Sequence, residues 1–148
     1  MKLATTYICV KDMQRSLNFY KQLLQQEPLY MNDDRWAAFD CGNQLALYNE
    51  KYDIELIKEK KAAIEFNQAY LHQLCSKENK QNNCMILNFV VQDLKKEYKR
   101  IQQLQIGEMS EIMYLNIFHP YYYFNVLDPD GNVIEITGQY TTLKNRNR

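Results

Sequence analysis

The chain has 148 residues, enough for one ordinary domain or two half-size modules, and a chain of that size hides about 68–70% of its unfolded surface on folding. Lys and Arg together number 18, as do Asp and Glu, so no whole-surface charge points to nucleic acid. Four glycines and three prolines exclude collagen-like and low-complexity classes and leave no Gly-rich phosphate cradle, and two histidines exclude a three-His metal site.

In chain order, Leu3 to Val10 is apolar and β-branched and predicts a strand. Asp12 then sits where a helix N-cap is expected, and Met13, Leu17, Tyr20 and Leu24 recur at helical spacing, predicting a helix from Met13 to Gln25 that Pro28 ends. Strands are expected at 28–31, 35–40 and 44–48, with Asp33-Asp34 and Gly42-Asn43 as the turns between them. Glu50 to Asn83 is polar and rich in Lys, Gln and Asn, with a helical stretch expected near 62–75. Met85 to Val91 predicts another strand. Asp93, Leu94, Tyr98, Ile101 and Leu104 predict a helix, which Gly107 would close as the C′ residue. Strands are expected again at 111–117, 121–127 and 133–137, with a strong turn at Asp128-Pro129-Asp130-Gly131. Thr141 to Arg148 reads as a solvated tail.

That order is strand, helix and three strands, twice. With Asp12 placed on Asp93, Ile8 meets Phe89, Val10 meets Val91, Leu17 meets Tyr98 and Tyr20 meets Ile101. With Gly42-Asn43 placed on Gly131-Asn132, Leu45 meets Ile134 and Leu47 meets Ile136. Shared order with shared apolar registers marks an internal repeat. Module one is therefore expected at 1–49, an inter-module segment at 50–83, module two at 84–140 and the tail at 141–148, all within one domain.

Cys9, Cys41, Cys75 and Cys84 form no C-x-x-C pair, so zinc-ribbon and thioredoxin-type readings fail on spacing. A disulfide framework is not expected in a chain this long with a normal core. The opening segment is too polar for a signal peptide, and no run approaches the ~18 apolar residues of a membrane span. The expectation is a cytoplasmic protein with no membrane and no nucleic-acid partner.

The strings YICVKDMQRSLNFYKQLL and FNVLDPDGNVIEI resemble the opening and closing signatures of the vicinal oxygen chelate superfamily. That group holds glyoxalase I, extradiol dioxygenases, fosfomycin-modifying enzymes and bleomycin-binding resistance proteins. The resemblance implies an α+β fold: two tandem βαβββ modules forming an eight-stranded cupped sheet with the helices outside. It also implies a homodimer. One fold hosts many chemistries, so function has to come from the site.

Strand alternation selects the residues that would line such a cup. Ile8, Val10, Leu45 and Leu47 in module one, and Leu87, Phe89, Val91, Ile134 and Ile136 in module two, suit packing under helices. Thr5, Tyr7, Cys9, Gln44, Ala46, Tyr48, Ile86, Asn88, Val90, Val133, Glu135 and Thr137 then face the cup. In metal-dependent relatives four cup residues hold the ion, and the resemblance places those positions at Thr5, Ala46, Ile86 and Glu135. Only Glu135 carries a charged donor, so no divalent metal or other cofactor is expected. Glu135 could act as an acid or base, but a ligand-contact role is preferred. A catalytic Cys9 is disfavoured because no histidine has an evident route to activate it. His72 and His119 lack the spacing of a metal site.

The twelve tyrosines are the positive signal. A phenol offers a flat face and one hydroxyl, which suits planar or amphipathic small molecules. The expected ligand-binding set is Tyr7, Trp36, Tyr48, Asn88, Tyr122, Phe124 and Glu135. The reading that follows is a metal-free binding protein for a small aromatic or amphipathic molecule, working by sequestration as bleomycin resistance proteins do. The alternatives are a glyoxalase-like metal-dependent lyase, isomerase or dioxygenase, and a non-catalytic partner protein.

Overall fold

The computed structural model describes residues 5–59, 85–116 and 120–141. The chain divides into two compact units, residues 1–81 and 82–148.

The first unit opens with β1 (Thr5–Cys9) and α1 (Met13–Leu24). Asp12 caps α1 as expected: its carboxylate accepts from the Arg15 amide at 3.0 Å, satisfying a donor that the first helical turn leaves without a partner. The helix buries Met13, Ser16, Leu17, Phe19, Tyr20 and Leu23 on one face, and each large apolar side chain so buried contributes about 1.5–3 kcal/mol. It stops at Gln25, which takes a left-handed conformation (φ 54°), with Pro28 shortly after. Then come β2 (Tyr30–Asn32), β3 (Trp36–Cys41) and β4 (Asn43–Tyr48). The turn between β3 and β4 needs Gly42 at φ 87°, and the Asp40 carboxylate accepts from the Gly42 amide at 3.0 Å.

The sheet order is β1-β4-β3-β2, with β1 and β4 parallel and the other pairs antiparallel. Ile8 lies beside Leu47, Leu47 beside Ala37, and Leu45 beside Phe39. All five are buried, and Phe39 meets Tyr20 of α1 at 6.4 Å between ring centroids. This is the helix-side core the alternation called for.

The polar segment at 50–83 follows β4 directly. It begins with helix α2 (Glu50–Lys58), capped by Asn49, whose side chain accepts from the Lys51 amide. The helix near 62–75 expected from sequence lies outside the described residues, as do His72, Cys75, Cys84 and His119.

The second unit repeats the plan with β5 (Leu87–Asp93), α3 (Leu94–Leu104), β6 (Met113–Asn116), β7 (Pro120–Leu127) and β8 (Val133–Gln139). Its order is β5-β8-β7-β6, again with the first and last strands parallel. Asp93 caps α3, accepting from the Lys96 amide at 2.9 Å. Leu94 and Ile101 are fully buried, and Tyr98 meets Phe124 edge-on at 5.0 Å. Gly107 does not close this helix. Gln105 takes the left-handed position (φ 50°), and its amide returns to the Ile101 carbonyl, so both helices end on a glutamine at the position where glycine is commonest. Phe89 lies beside Ile136, as Ile8 lies beside Leu47; the repeat read from sequence is a repeat of strand register.

Asp128, almost fully buried, builds the turn into β8. Its carboxylate accepts from the Asp130 amide, the Asn132 amide and the Asn132 side chain at 2.7–2.9 Å. At the far end of β8 the ladder with β5 shifts register between Val91 and Asp93. There Gly138 lies so close to β5 that a Cβ would stand 2.5 Å from the Val91 carbonyl oxygen. Gly138→Ala should therefore cost roughly 1–3 kcal/mol through forced backbone displacement. Gly42→Ala, which meets nothing within 4 Å but must hold φ 87°, should cost about 1–2 kcal/mol. Urea unfolding of the two variants measures both losses, and an unchanged midpoint for Gly138→Ala would refute the close approach.

Candidate functional site

In each unit the sheet face turned away from the helix carries the chemistry. In the first unit, Tyr7 on β1, Trp36 on β3 and Tyr48 on β4 come together there. Their ring centroids are 5.5 Å (Tyr7–Trp36), 6.1 Å (Tyr7–Tyr48) and 6.2 Å (Trp36–Tyr48) apart. Register explains the cluster, because Trp36 lies directly opposite Tyr48 and Tyr7 lies two residues along on the same face, opposite Ala46. The next row across the sheet reads Tyr7, Ala46, Ala38, Tyr30. Both alanines are fully buried, whereas Tyr7 is 55% and Tyr30 49% exposed. The Gln44 side-chain oxygen accepts from the Thr5 hydroxyl at 3.2 Å and from the Tyr30 hydroxyl at 3.1 Å, fixing the polar border of the face.

Helix α2 holds this cluster in place. Asp53 is fully buried. Its Oδ2 accepts from the Tyr48 hydroxyl at 2.5 Å, and its Oδ1 lies 2.7 Å from Arg35 Nε. Asn49 Nδ2 donates to the Asp34 carbonyl at 2.9 Å, and the Tyr52 hydroxyl donates to Asp33 at 3.4 Å. Three consecutive residues of the β2–β3 turn thus tie down α2, and through Asp53 they orient the Tyr48 ring. Cys9 shares the face of Tyr7, and its thiol donates to Glu50 Oε1 at 3.6 Å. Sequence reasoning missed Tyr30, Arg35 and Asp53. The available signal was Asn49 followed by Glu50 and Asp53, an N-cap with acidic residues in the first turn.

In the second unit Asn88 lies opposite Glu135 and donates to its Oε1 at 2.8 Å and to the Thr137 hydroxyl at 3.4 Å. On β7, Asn125 is opposite Glu135 and Tyr123 is opposite Thr137. Alternation therefore places Tyr121, Tyr123 and Asn125 on the face of Glu135. The expectation that Tyr122 and Phe124 line this face is corrected. Tyr122 lies opposite Gly138 and Phe124 opposite Ile136, on the helix side. Phe124 is fully buried against Tyr98, and Tyr122 meets Tyr114 and Tyr140. A run of four rings does not reveal its parity, and the odd-numbered pair faces Glu135. The Tyr121 and Tyr123 centroids are 5.6 Å apart. Partial burial pushes the Tyr121 phenol up from its ordinary pKa, with Glu135 and Tyr123 adding to the effect.

The model of the Glyoxalase/Bleomycin resistance protein/Dioxygenase superfamily matches residues 2–136. The chain belongs to this superfamily. No curated protein matches the chain. Among solved structures, a lactoylglutathione lyase from Agrobacterium tumefaciens is similar at TM-score 0.63 and 16% identity, covering 93% of this chain and 92% of that one. A glyoxalase-related enzyme from Fulvimarina pelagi is similar at TM-score 0.62 and 16% identity, over 93% of this chain and 88% of that one. A glyoxalase/bleomycin resistance protein from Catenulispora acidiphila reaches TM-score 0.58 at 16% identity, over 94% of this chain and all of its own. At these identities the likeness is one of fold, and it matches the two tandem βαβββ modules.

The superfamily's metal does not fit the residues at its four positions. The Thr5 hydroxyl is engaged with Gln44, Ala46 offers a buried methyl group, Ile86 offers an alkyl chain, and Glu135 is a single carboxylate bonded to Asn88. Among the described residues no group of three or more His, Cys, Asp or Glu is placed to hold an ion. Divalent ions in such sites require three or four N, O or S donors.

The Asp53 anchor predicts a measurable loss. Asp53→Ala leaves the Arg35 guanidinium facing a buried void, and because Arg35 is 23% exposed it can partly rehydrate, so the expected cost is about 2–3 kcal/mol. Asp53→Asn keeps an acceptor for Tyr48 and should lose less. Urea unfolding followed by Trp36 emission reads both variants.

Proposed function

We propose that the chain is a metal-free member of its superfamily that binds a small aromatic or amphipathic molecule and acts by sequestering it. The observation that carries this reading is the Tyr7–Trp36–Tyr48 cluster on the face of the first sheet turned away from α1. Three rings within about one ring diameter of each other, one of them more than half exposed, form a stacking surface. A fourth ring from a ligand gains about 0.5–1.5 kcal/mol per aromatic pair beyond its area burial. Nanomolar binding requires about 12 kcal/mol, so several rings have to engage together, and the cluster offers several. The second unit, taken by itself, carries a polar feature of its own, the Asn88–Glu135 pair. Sequestration needs shape, stacking and hydrogen bonds; it needs no metal and no base. A cytoplasmic homodimer belongs to the same reading, and the exposed thiols of Cys9 and Cys41 suit a reducing compartment.

Trp36 is the sole tryptophan of the chain, and it sits inside the cluster. Titration with a library of planar aromatic compounds should quench or shift its emission saturably and raise the melting temperature. Tyr7→Ala should weaken the best compound about tenfold. A broad library with no saturable response in either measurement would sink the reading.

A further inference from the structure

We propose that the second sheet carries a recognition site for an organic cation, built from Glu135, Tyr121 and Tyr123. This rests on the small-molecule-binding reading and names the class of ligand group it takes: a substituted ammonium or other soft organic cation. Three observations converge. Glu135 is partly exposed, and among the described residues its one hydrogen-bond donor is Asn88, through Oε1. No described lysine or arginine pairs with it. Its charge is therefore oriented but not neutralised. The same face presents two phenol rings, 5.6 Å apart and tilted 38° to each other. Tyr123 is diagonal to Glu135 across β7–β8, and Tyr121 follows Tyr123 on the same face.

The chemistry of the three groups agrees on one ligand type. Ring faces are electron-rich and attract cations but not anions. An oriented carboxylate does the same, and it repels phosphate, sulfate and carboxylate ligands. A metal ion would need more donors than one carboxylate and neutral oxygens, whereas a bulky ammonium is bound by one negative charge and aromatic faces. Asn88 holds the carboxylate rotamer through Oε1, which leaves Oε2 for the ligand. The distinction from the first sheet is one of charge: the Tyr7–Trp36–Tyr48 cluster gives stacking without selecting charge, and the Glu135 face selects it.

The test uses the full chain and three matched naphthalene sulfonamides. One carries a trimethylammonium arm, one its neutral tert-butyl isostere and one a sulfonate. Dissociation constants come from naphthalene fluorescence and calorimetry at two salt concentrations. The cation should bind about tenfold more tightly than the isostere, with the sulfonate weakest and the preference shrinking in high salt. Glu135→Gln, which keeps an acceptor for Asn88, should abolish the preference, so that the cation and its neutral isostere bind the variant equally. Tyr123→Leu provides the same reading should that variant fold poorly. Equal affinity of the cation and its isostere, or a preference that survives in both variants, would overturn the cation site while leaving the aromatic reading in place. No binding by any of the three probes would overturn both.

Discussion

Each unit depends on one pairing, between its first strand and its last. β1 runs parallel to β4, and β5 runs parallel to β8. A parallel pair cannot be closed by a tight hairpin, so the chain must cross the sheet between them, and α1 and α3 sit at the start of that crossing. The pairing joins residues 39 positions apart in the first unit and 47 in the second and sets their faces together: Ile8 with Leu47, and Phe89 with Ile136, toward the helix. Once those registers are set, period-two alternation fixes every residue on the other face. Tyr7 cannot leave the face of Tyr48 without moving Ile8 out of the core, and Asn88 is held to Glu135 in the same way. A slip of one residue would reverse both faces at once.

On this repeated scaffold the two faces turned away from α1 and α3 have diverged. Equivalent positions hold Tyr7 and Ala46 in the first unit and Asn88 and Glu135 in the second. The first gives rings over small residues; the second gives a carboxylate with its amide partner beside two phenols. A scaffold whose core is specified by helix-side residues leaves the opposite face free to change chemistry at little cost in stability. The same freedom accounts for a superfamily member whose four metal positions hold a hydroxyl, a methyl, an alkyl chain and one carboxylate.

Much of this was legible in the sequence because it is local or periodic. Asp12 and Asp93 announce their helices, Gly42 and Gly131 their turns, and apolar alternation assigns Ile8, Leu45, Leu47, Ile134 and Ile136 to the core. Tyr7, Tyr48, Asn88 and Glu135 fall on the opposite faces for the same reason. Legibility failed where the signal has no period. Tyr121 to Phe124 is apolar at every position, so only the pairing with β8 reveals that Tyr121 and Tyr123 face Glu135. The end of α3 was misread because glutamine accepted a left-handed conformation that glycine two residues on would have taken more cheaply. Helix α2 was hidden by its composition. It buries one residue, and that residue is an aspartate, the reverse of an amphipathic signature.

That aspartate has a thermodynamic consequence. Asp53 bonds to Tyr48 on one side and to Arg35 on the other, so the docking of α2 and the orientation of one aromatic wall form a single equilibrium. Two events that share an equilibrium are coupled reciprocally. A compound that stacks on Tyr48 in its anchored orientation also retards the local opening of α2, and its amides would exchange more slowly with solvent. Conversely, any fluctuation that frees α2 also loosens the ring. The first sheet is therefore a surface whose rigidity is set in part by a helix, through the bond between Asp53 and the Tyr48 hydroxyl.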